Sequence, residues 1–395
     1  MTSAEQPEDT ETGGDVDGLL DLLARHGDRP AIDLSRLDLR RATLDGWKLV
    51  QAKLAGANLS EARLATADLG GADLFGAILA RSDLRRANLA GAVLRGASLK
   101  GANLNDACLV DADFRGGVIV GAGGGQVGIH PADLANCMAE YVTATRAQLS
   151  GVDLSGASLI GADLSGAVLF GADLTGADLS FADLSSANLA DARIGGTRFI
   201  GSNLTQAKLT GARADATHFN GATLAGADLH GVDRKRCVFG EERFLRRVAE
   251  LPPATRTALE RHDAWVASRA RQGEPGLVEG ADLRHADLGG LALSGMTFRR
   301  CRMIGSRLDS AELVLASFID CDLFAATLEG ANLYGARFTG SNLRRARLAG
   351  AWVGGVPLAY ADGNPQDRLQ RTDFSGARLD GADLDGVDLS ACIMA

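Results

Sequence analysis

The chain has 395 residues, of which 46% are hydrophobic and only 5% aromatic, and its formal net charge is −9. The first 21 positions hold seven acidic residues and no Lys or Arg, and subtracting those seven charges leaves −2 for the rest of the chain. This nearly neutral body argues against direct nucleic-acid binding, which needs a basic face. The sequence contains no run of 18 apolar residues, so we expect no membrane span. The acidic N-terminus does not resemble a secretory signal.

The N-terminal region comes before the regular part of the sequence. Residues 1–14 are acidic and predict a disordered tail, and residues 15–30 predict a helix that caps the structure after it. Six cysteines are scattered along the chain without a CxxC pair. Their spacing indicates reduced thiols and a cytoplasmic protein.

A five-residue pattern fills most of the chain, as in GVDLSGASLIGADLSGAVLFGADL from Gly151 to Leu174. A large apolar residue, usually Leu, returns at every fifth position, with a small residue two positions before it and often Asp or Asn between them. An amphipathic helix needs a period of about 3.6 residues and a strand a period of about 2. The pattern predicts instead a solenoid whose large and small residues point inward.

A second period of twenty residues links four repeats into one coil. Equivalent side chains should therefore stack in neighbouring coils, about 4.8 Å apart. The residues with this spacing form two phenylalanine columns and one cysteine pair: Phe199, Phe219 and Phe239; Phe298, Phe318 and Phe338; and Cys301 with Cys321. We expect the two thiols to lie near disulfide range and to be reduced.

The run GADLSGAVLFGADLTGADLS resembles the pentapeptide-repeat family, whose pattern is A(D/N)LXX. The resemblance covers most of the chain. It implies an all-β solenoid, a right-handed quadrilateral β-helix with four repeats per coil. Here the pattern forms two stacked-coil segments, residues 31–240 and 277–395, joined by a helical hairpin.

Three breaks interrupt the repeats. Residues 120–147 contain a Gly-rich loop and, after Pro131, a predicted helix. Residues 241–276 predict a helical hairpin, and the phase of the repeat changes across it. Part of this hairpin, LERHDAWVASRARQGEPGLVEGADL, is similar to a helix that often precedes the first coil in the family. We therefore expect it to cover the open end of the second β-helix. A shorter insertion spans residues 359–371.

The sequence predicts no enzyme, cofactor or metal site. GGGQVG, from Gly123 to Gly128, matches GxGxxG, but its flanks are repeats and not the strand and helix of a dinucleotide site. The six histidines lack ligand spacing with Cys or Glu. The many Asp residues recur with the repeat and do not form the acid pairs of hydrolytic enzymes.

The surface therefore carries the candidate function. The Gly-rich insertion, the helical hairpin and two outward apolar columns, Ile304 with Phe324 and Val314 with Tyr334, are the predicted contacts to a protein partner. The candidate contact residues are Gly123, Gly125, Gln126, His130, Trp265, Ile304, Phe324, Val314 and Tyr334.

Three functions remain open. The first is a rigid, non-catalytic scaffold or adaptor for protein partners, and we also expect a homodimer through the C-terminal coil. The second is implied by the resemblance, because some family members mimic duplex DNA and protect DNA gyrase or topoisomerase IV. The nearly neutral body and the two segments depart from those members. The third is an accessory role in a bacterial secretion or injection system, where repeat rods of this family occur.

Overall fold

The computed structural model describes residues 31–120, 126–240, 245–268, 271–359 and 365–394. The chain divides into two compact units, Met1–Glu242 and Arg243–Ala395, here called the first and the second unit. The predicted tail (1–14), the predicted capping helix (15–30), and Gly123 and Gly125 lie outside the described residues.

Both units are built from coils that pair with their neighbours in parallel. Isolated bridges join residues twenty apart, such as Asp173 with Arg193 in the first unit and Arg302 with Asp322 in the second. Each coil therefore holds four repeats. Backbone hydrogen bonds run between coils, as from the Leu54 N–H to the Asp73 carbonyl at 2.7 Å.

Within a repeat, the large and the small residue fill the interior. Ala57 and Leu59 are fully buried, whereas Asn58 between them faces outward and forms the bridge to the next coil. The two turn residues follow, and the second has a positive φ, for example 66° at Gly166 and 59° at Phe181. Glycine is common at this turn position because it reaches the left-handed region without a Cβ clash.

The recurring Asp and Asn side chains close these turns. Asp163 Oδ1 accepts a hydrogen bond from the Ser165 N–H at 3.0 Å, and Asn188 Oδ1 accepts one from the Ala190 N–H at 3.2 Å. Each of these oxygens replaces a backbone acceptor in a tight turn. The rows of carboxylates are therefore part of the scaffold.

The phenylalanine columns stack at the spacing that the twenty-residue period predicts. In the first unit, Phe199, Phe219 and Phe239 have ring centroids 5.2 and 5.1 Å apart. In the second unit, Phe298, Phe318 and Phe338 are spaced by 5.1 and 5.0 Å. Phe374 adds a fourth ring, 5.1 Å from Phe338, although it follows 36 positions later. The insertion between them leaves the column intact.

The first insertion is a β-hairpin and is shorter than the predicted 120–147. Strands β1 (Gly117–Val120) and β2 (Gln126–Ile129) pair in antiparallel fashion. The coil resumes at Ala132, whose N–H donates to the Phe114 carbonyl at 3.0 Å, the bond that normally links consecutive repeats. The predicted helix after Pro131 is wrong, because Asp133 and Met138 bridge to Asp153 and Ser158 of the next coil.

The repeats after Pro131 are hard to recognise in the sequence because the sizes of their two inward residues are exchanged. Ala139 and Ala144 occupy the large position, whereas Cys137 and Val142 fill the small one, and all four are buried. The larger residue at the small position offsets the volume that alanine leaves, so the interior remains filled.

The second unit opens with one α-helix and not with the predicted hairpin of two. Residues Val248–Glu250 form a 3₁₀ turn, and α1 spans Pro253–Ala267. Arg246 instead joins the sheet, because its N–H donates to the His285 carbonyl at 2.6 Å and its carbonyl accepts from the Asp287 N–H at 2.8 Å.

The segment around α1 covers the first coil of the second unit. Leu251 and Leu259 are buried in one apolar cluster with the first-coil leucines Leu283, Leu288 and Leu293. Within the described ranges, α1 and the 3₁₀ turns do not have the length and apolarity that crossing a bilayer requires.

The remaining elements belong to the coils and to a second hairpin. Strands β3 (Leu277–Glu279), β4 (Thr297–Arg299) and β5 (Ser317–Ile319) form a parallel sheet along one face. Strands β6 (Gly355–Ala359) and β7 (Pro365–Arg371) form an antiparallel hairpin, which begins earlier than the predicted 359–371. Short 3₁₀ turns lie at Arg234–Arg236 and Leu389–Ala391.

Candidate functional site

Three large side chains are exposed at the base of the β6–β7 hairpin in the second unit. Trp352, Leu369 and Tyr334 have exposed fractions of 60%, 63% and 39%. We call these three residues the hairpin patch. Exposed tryptophan and tyrosine are enriched where proteins bind proteins, because they contribute a large contact area and a polar atom.

Adjacent coils bring Tyr334 and Trp352 together. Trp352 bridges to Asn332, which lies two residues before Tyr334. The Tyr334 ring lies against the backbone of Gly354, where a Cβ atom would be only 2.6 Å from the ring. Gly354 also has a φ of 152°, so a side chain at this position is unfavourable for both reasons.

The third residue of the patch comes from β7. Leu369 pairs with Pro357 across the hairpin, and its Cβ lies 3.2 Å from the point where a Cβ of Gly355 would be. The glycine pair Gly354 and Gly355 therefore lets the tyrosine ring and the leucine approach the same stretch of backbone.

Hydrogen bonds fix the hairpin to the coil beneath it. The Thr372 hydroxyl donates to the Leu333 carbonyl at 2.8 Å and accepts the Gly354 N–H at 3.0 Å. The Gln370 side-chain amide donates to the Gly335 carbonyl at 2.6 Å. The hairpin patch is consequently held on a rigid frame, which lowers the entropy cost of binding.

One of the two predicted apolar columns is not available to a partner. Ile304 is fully buried and Phe324 is 3% exposed, so the prediction of an outward contact is wrong for both. The guanidinium groups of Arg344 and Arg345 each lie 5.8 Å from the Phe324 ring centroid and help to cover it. In the other column Val314 is half-buried and Tyr334 is exposed.

The remaining predicted contacts are spread over the chain. Gln126 begins β2, and His130 follows it as an exposed residue. Trp265 is half-buried in α1, where its ring stacks on His262 with centroids 5.6 Å apart and lies against Gly295. Trp265 therefore packs the helix onto the first coil, whereas His130 stays accessible.

Sequence reasoning missed Trp352 and Leu369. Trp352 stands in AWVGG at the repeat position that usually carries Asp or Asn, and this departure is a signal that could have found it. Leu369 lies in the hairpin, which the repeat pattern does not describe, so no periodic signal marks it.

The first unit carries a local excess of negative charge. Residues 131–191 contain one basic residue, Arg146, and eight acidic ones, although the chain body as a whole is nearly neutral. We call this segment the acidic band. Its acidic residues are Asp133, Glu140, Asp153, Asp163, Asp173, Asp178, Asp183 and Asp191.

The described residues contain no group of three or more His, Cys, Asp or Glu side chains that could hold a metal ion. Burial alone would raise the pKa of Asp282, but hydrogen bonds from the Arg284 side chain and backbone lower it to about 2. A carboxylate with such a pKa stays ionised and is a poor general acid at neutral pH.

Comparison with known proteins points to one family. The family described as Pentapeptide repeats matches more than half of the chain. The matched residues are 32–71, 48–81, 77–116, 132–169, 147–184, 167–206, 182–221, 202–237, 279–314, 316–356 and 368–394. No curated protein is significantly similar to the chain.

Several solved structures are similar to parts of the chain. HetL, a pentapeptide repeat protein involved in heterocyst differentiation regulation in Nostoc sp. strain PCC 7120, is 28% identical over 56% of this chain and 95% of its own, with a TM-score of 0.31. A trypsin-treated form of QnrB1, a plasmid-mediated fluoroquinolone resistance protein, is 17% identical over 51% and 86%, with a TM-score of 0.34. Rfr23 from Cyanothece 51142 is 24% identical over 36% and 90%, with a TM-score of 0.22.

Proposed function

Because this chain belongs to the pentapeptide-repeat family, whose coils form a right-handed β-helix, we propose that it is a non-enzymatic scaffold for a protein partner. Each coil would be four-sided, with one repeat on each side. The partner would bind outer faces and projecting hairpins, in the cytoplasm, where the six free cysteines remain reduced.

The hairpin patch is the observation that carries this proposal. Trp352, Leu369 and Tyr334 leave large apolar areas in water on a frame whose other outward positions are mostly small, polar or charged. Burying a side chain of this size against a partner contributes about 1.5–3 kcal/mol, so two or three such residues form an energetic centre of an interface.

The test compares partner capture by matched variants of the full chain. The wild-type protein and Phe170→Ala should retain the same partner from a lysate of the native host, since Phe170 is 48% exposed but lies in the first unit. Trp352→Ala combined with Leu369→Ala should lose that partner. Equal capture by all three proteins would rule out the hairpin patch as the contact.

The acidic band favours a second candidate function, protection of a type II topoisomerase. Sixty residues make three coils, about 15 Å at β spacing, so the band carries roughly one net negative charge per 2 Å of solenoid. Duplex DNA carries about one per 1.7 Å, which is a similar density. The rest of the chain body lacks this excess of negative charge. The acidic band alone would therefore have to bind the topoisomerase.

A supercoiling assay separates this candidate from the scaffold. DNA gyrase with a fluoroquinolone should regain activity at micromolar wild-type protein if the candidate is correct. Asp153→Asn combined with Asp173→Asn should weaken the rescue, and Asp380→Asn combined with Asp385→Asn in the second unit should not. No rescue by the wild-type protein would remove the candidate.

We also propose a homodimer through the C-terminal coil. Leu379, Leu384 and Leu389 are only partly buried, whereas Leu343 and Leu348 one coil earlier are fully buried. A second copy would cover these leucines and the unpaired backbone of the coil. Light scattering of the full chain should give twice the monomer mass, and Leu384→Glu should give the monomer. A monomeric wild-type protein at high micromolar concentration would exclude the dimer.

A further inference from the structure

Two buried cysteines occupy equivalent positions in consecutive coils of the second unit. Cys301 is 1% and Cys321 2% exposed, and both thiols are free. The Cys301 thiol donates to the Val278 carbonyl at 3.3 Å, and the Cys321 thiol donates to the Phe298 carbonyl at 3.4 Å. The two side chains therefore have the same surroundings, one coil apart.

The spacing of the coils brings the pair within reach of a covalent bond. The Asp322 N–H donates to the Cys301 carbonyl at 2.9 Å, and the neighbouring rings of Phe298 and Phe318 are 5.1 Å apart. Disulfides form between cysteines whose Cα atoms are about 4.4–6.8 Å apart. A spacing of one coil falls inside this range.

The two thiols also differ in acidity. Interaction between the two neighbouring side chains lowers the pKa of Cys301 and raises the pKa of Cys321. The thiolate is the form that attacks peroxides and disulfides. This difference favours Cys301 as the nucleophile of the pair and Cys321 as the resolving thiol.

We propose that Cys301 and Cys321 are a redox modification site, which a peroxide converts into a disulfide between consecutive coils. The Cys301 sulfur attacks one peroxide oxygen and the O–O bond breaks. One water molecule is released, and Cys301 becomes a sulfenic acid. The Cys321 sulfur then attacks the Cys301 sulfur, the S–O bond breaks, and a second water leaves. Two thiols and one hydrogen peroxide become one disulfide and two waters.

The disulfide would tie the two coils together. It closes a loop of twenty residues and so restricts the unfolded chain more than the folded one. The second unit should consequently unfold at a higher temperature after oxidation. The two cysteines are held at the fixed distance between coils and cannot adjust as they could in a flexible loop. A dithiol reductant should therefore reduce the disulfide again.

The same column of the interior supplies a conservative replacement. Ser341, one coil beyond Cys321, donates its hydroxyl to the Phe318 carbonyl at 3.1 Å and accepts the Cys321 N–H at 3.0 Å. A hydroxyl thus fits where the thiols lie. Cys301→Ser and Cys321→Ser should fold, which keeps the test decisive.

The experiment treats the full chain with hydrogen peroxide, in a Cys108→Ser, Cys237→Ser background that removes the two half-exposed thiols. The number of thiols alkylated after denaturation should fall from four to two, the mass should drop by about 2 Da, and dithiothreitol should reverse both. Adding Cys301→Ser or Cys321→Ser should abolish the effect. Adding Cys137→Ser, which removes a buried thiol of the first unit, should leave it unchanged.

Two results from the thiol count would overturn the proposal, and a third would come from electrophoresis. One is that all four thiols stay alkylatable while peroxide oxidises a methionine or another site of the same sample. The other is that the thiol loss persists in Cys301→Ser, which would assign the oxidation to a different cysteine. Oxidation that appears only as a covalent dimer in denaturing electrophoresis would equally contradict a bond within one chain.

Discussion

Several polar side chains in the interior of the coils donate a hydrogen bond to a backbone carbonyl. At small positions, the Ser82 hydroxyl donates to the Leu79 carbonyl at 2.8 Å, and the Thr217 hydroxyl donates to the Ile194 carbonyl at 2.6 Å. Ser306 differs, because its hydroxyl is fully buried and has no hydrogen-bond partner among the described residues. An unsatisfied buried hydroxyl costs free energy that alanine avoids.

Ser306→Ala should therefore stabilise the second unit by about 1 kcal/mol. The matched change Ser341→Ala removes a hydroxyl that makes two hydrogen bonds and should destabilise the same unit by about 1–3 kcal/mol. Urea unfolding of the two variants and the wild type measures both effects. Destabilisation by Ser306→Ala would show that a buried water satisfies the hydroxyl.

Leu174 tests the inward assignment of the large residue. Leu174 is fully buried, and Leu174→Asp places an unpaired carboxylate in the interior of the first unit. The expected loss is about 5 kcal/mol or more, enough to unfold the coils around it. Thr175→Asp changes the neighbouring exposed residue and should alter the stability by about 0.5 kcal/mol or less. Circular dichroism during thermal unfolding compares the two, and equal melting temperatures would contradict the assignment.

At the scale of an element, α1 depends on a neutral histidine. His262 is fully buried, its Nδ1 accepts the Gly276 N–H at 3.0 Å, and its Nε2 has no hydrogen-bond partner among the described residues. Burial lowers the pKa of His262 below its usual 6.5, and the carboxylate of Asp263 only partly opposes this. Arg261 and Glu274, which face each other across the same helix edge, form an ion pair.

The stability of the second unit should therefore fall in acid. Between pH 6.5 and the lower pKa of folded His262, the unfolded chain binds the proton and the folded one does not, so stability drops as the pH falls through this window. Protonated Nδ1 would also lose the Gly276 bond. Thermal unfolding from pH 8 to pH 5 should show this slope, reduced in His262→Gln and kept in His230→Gln, which changes an exposed histidine of the first unit. An unreduced slope in His262→Gln would contradict this assignment.

The sequence predicts the coils well because each five-residue repeat marks its own inward residues. The need to fill the interior accounts for this pattern in every repeat. Prediction from sequence fails where contacts with neighbouring segments decide the conformation or the burial of a residue. Arg246 enters the sheet, so the expected first helix does not form. Ile304 stands at an outward position, yet its neighbours bury it. Trp352 occupies a position that is usually polar, and only the hairpin beside it shows why its exposure matters.

At the scale of the whole molecule, the coils keep their register across insertions of different length. Ser98 bridges to Asp133 over the β1–β2 hairpin, and Arg337 bridges to Asp373 over the β6–β7 hairpin, with separations of 35 and 36 residues in place of 20. The first insertion adds 15 residues to the coil, a multiple of the five-residue repeat, whereas the second adds 16, which is not. The inward side chains therefore set the register, and the number of residues between them does not.

Deleting residues 117–131 should leave the first unit folded. The deletion joins Gly116 to Ala132 and creates FRGADL, an unbroken repeat, at the point where the Ala132 N–H already donates to the Phe114 carbonyl. The melting temperature of the first unit should change by only a few degrees, since the deleted strands pair with each other. Differential scanning calorimetry measures this. The control is a deletion of residues 152–165, which removes buried leucines and leaves Leu149 and Leu169 six positions apart, so it should destabilise the unit.

The bond between Ala132 and Phe114 has a practical consequence for engineering. The two ends of the β1–β2 hairpin meet at neighbouring points of one coil, which is the condition for exchanging a segment without disturbing its host. A foreign loop, a peptide epitope or a small domain with closely spaced termini could be grafted between Gly116 and Ala132. The first unit would then serve as a display frame, with the grafted segment held at one fixed coil.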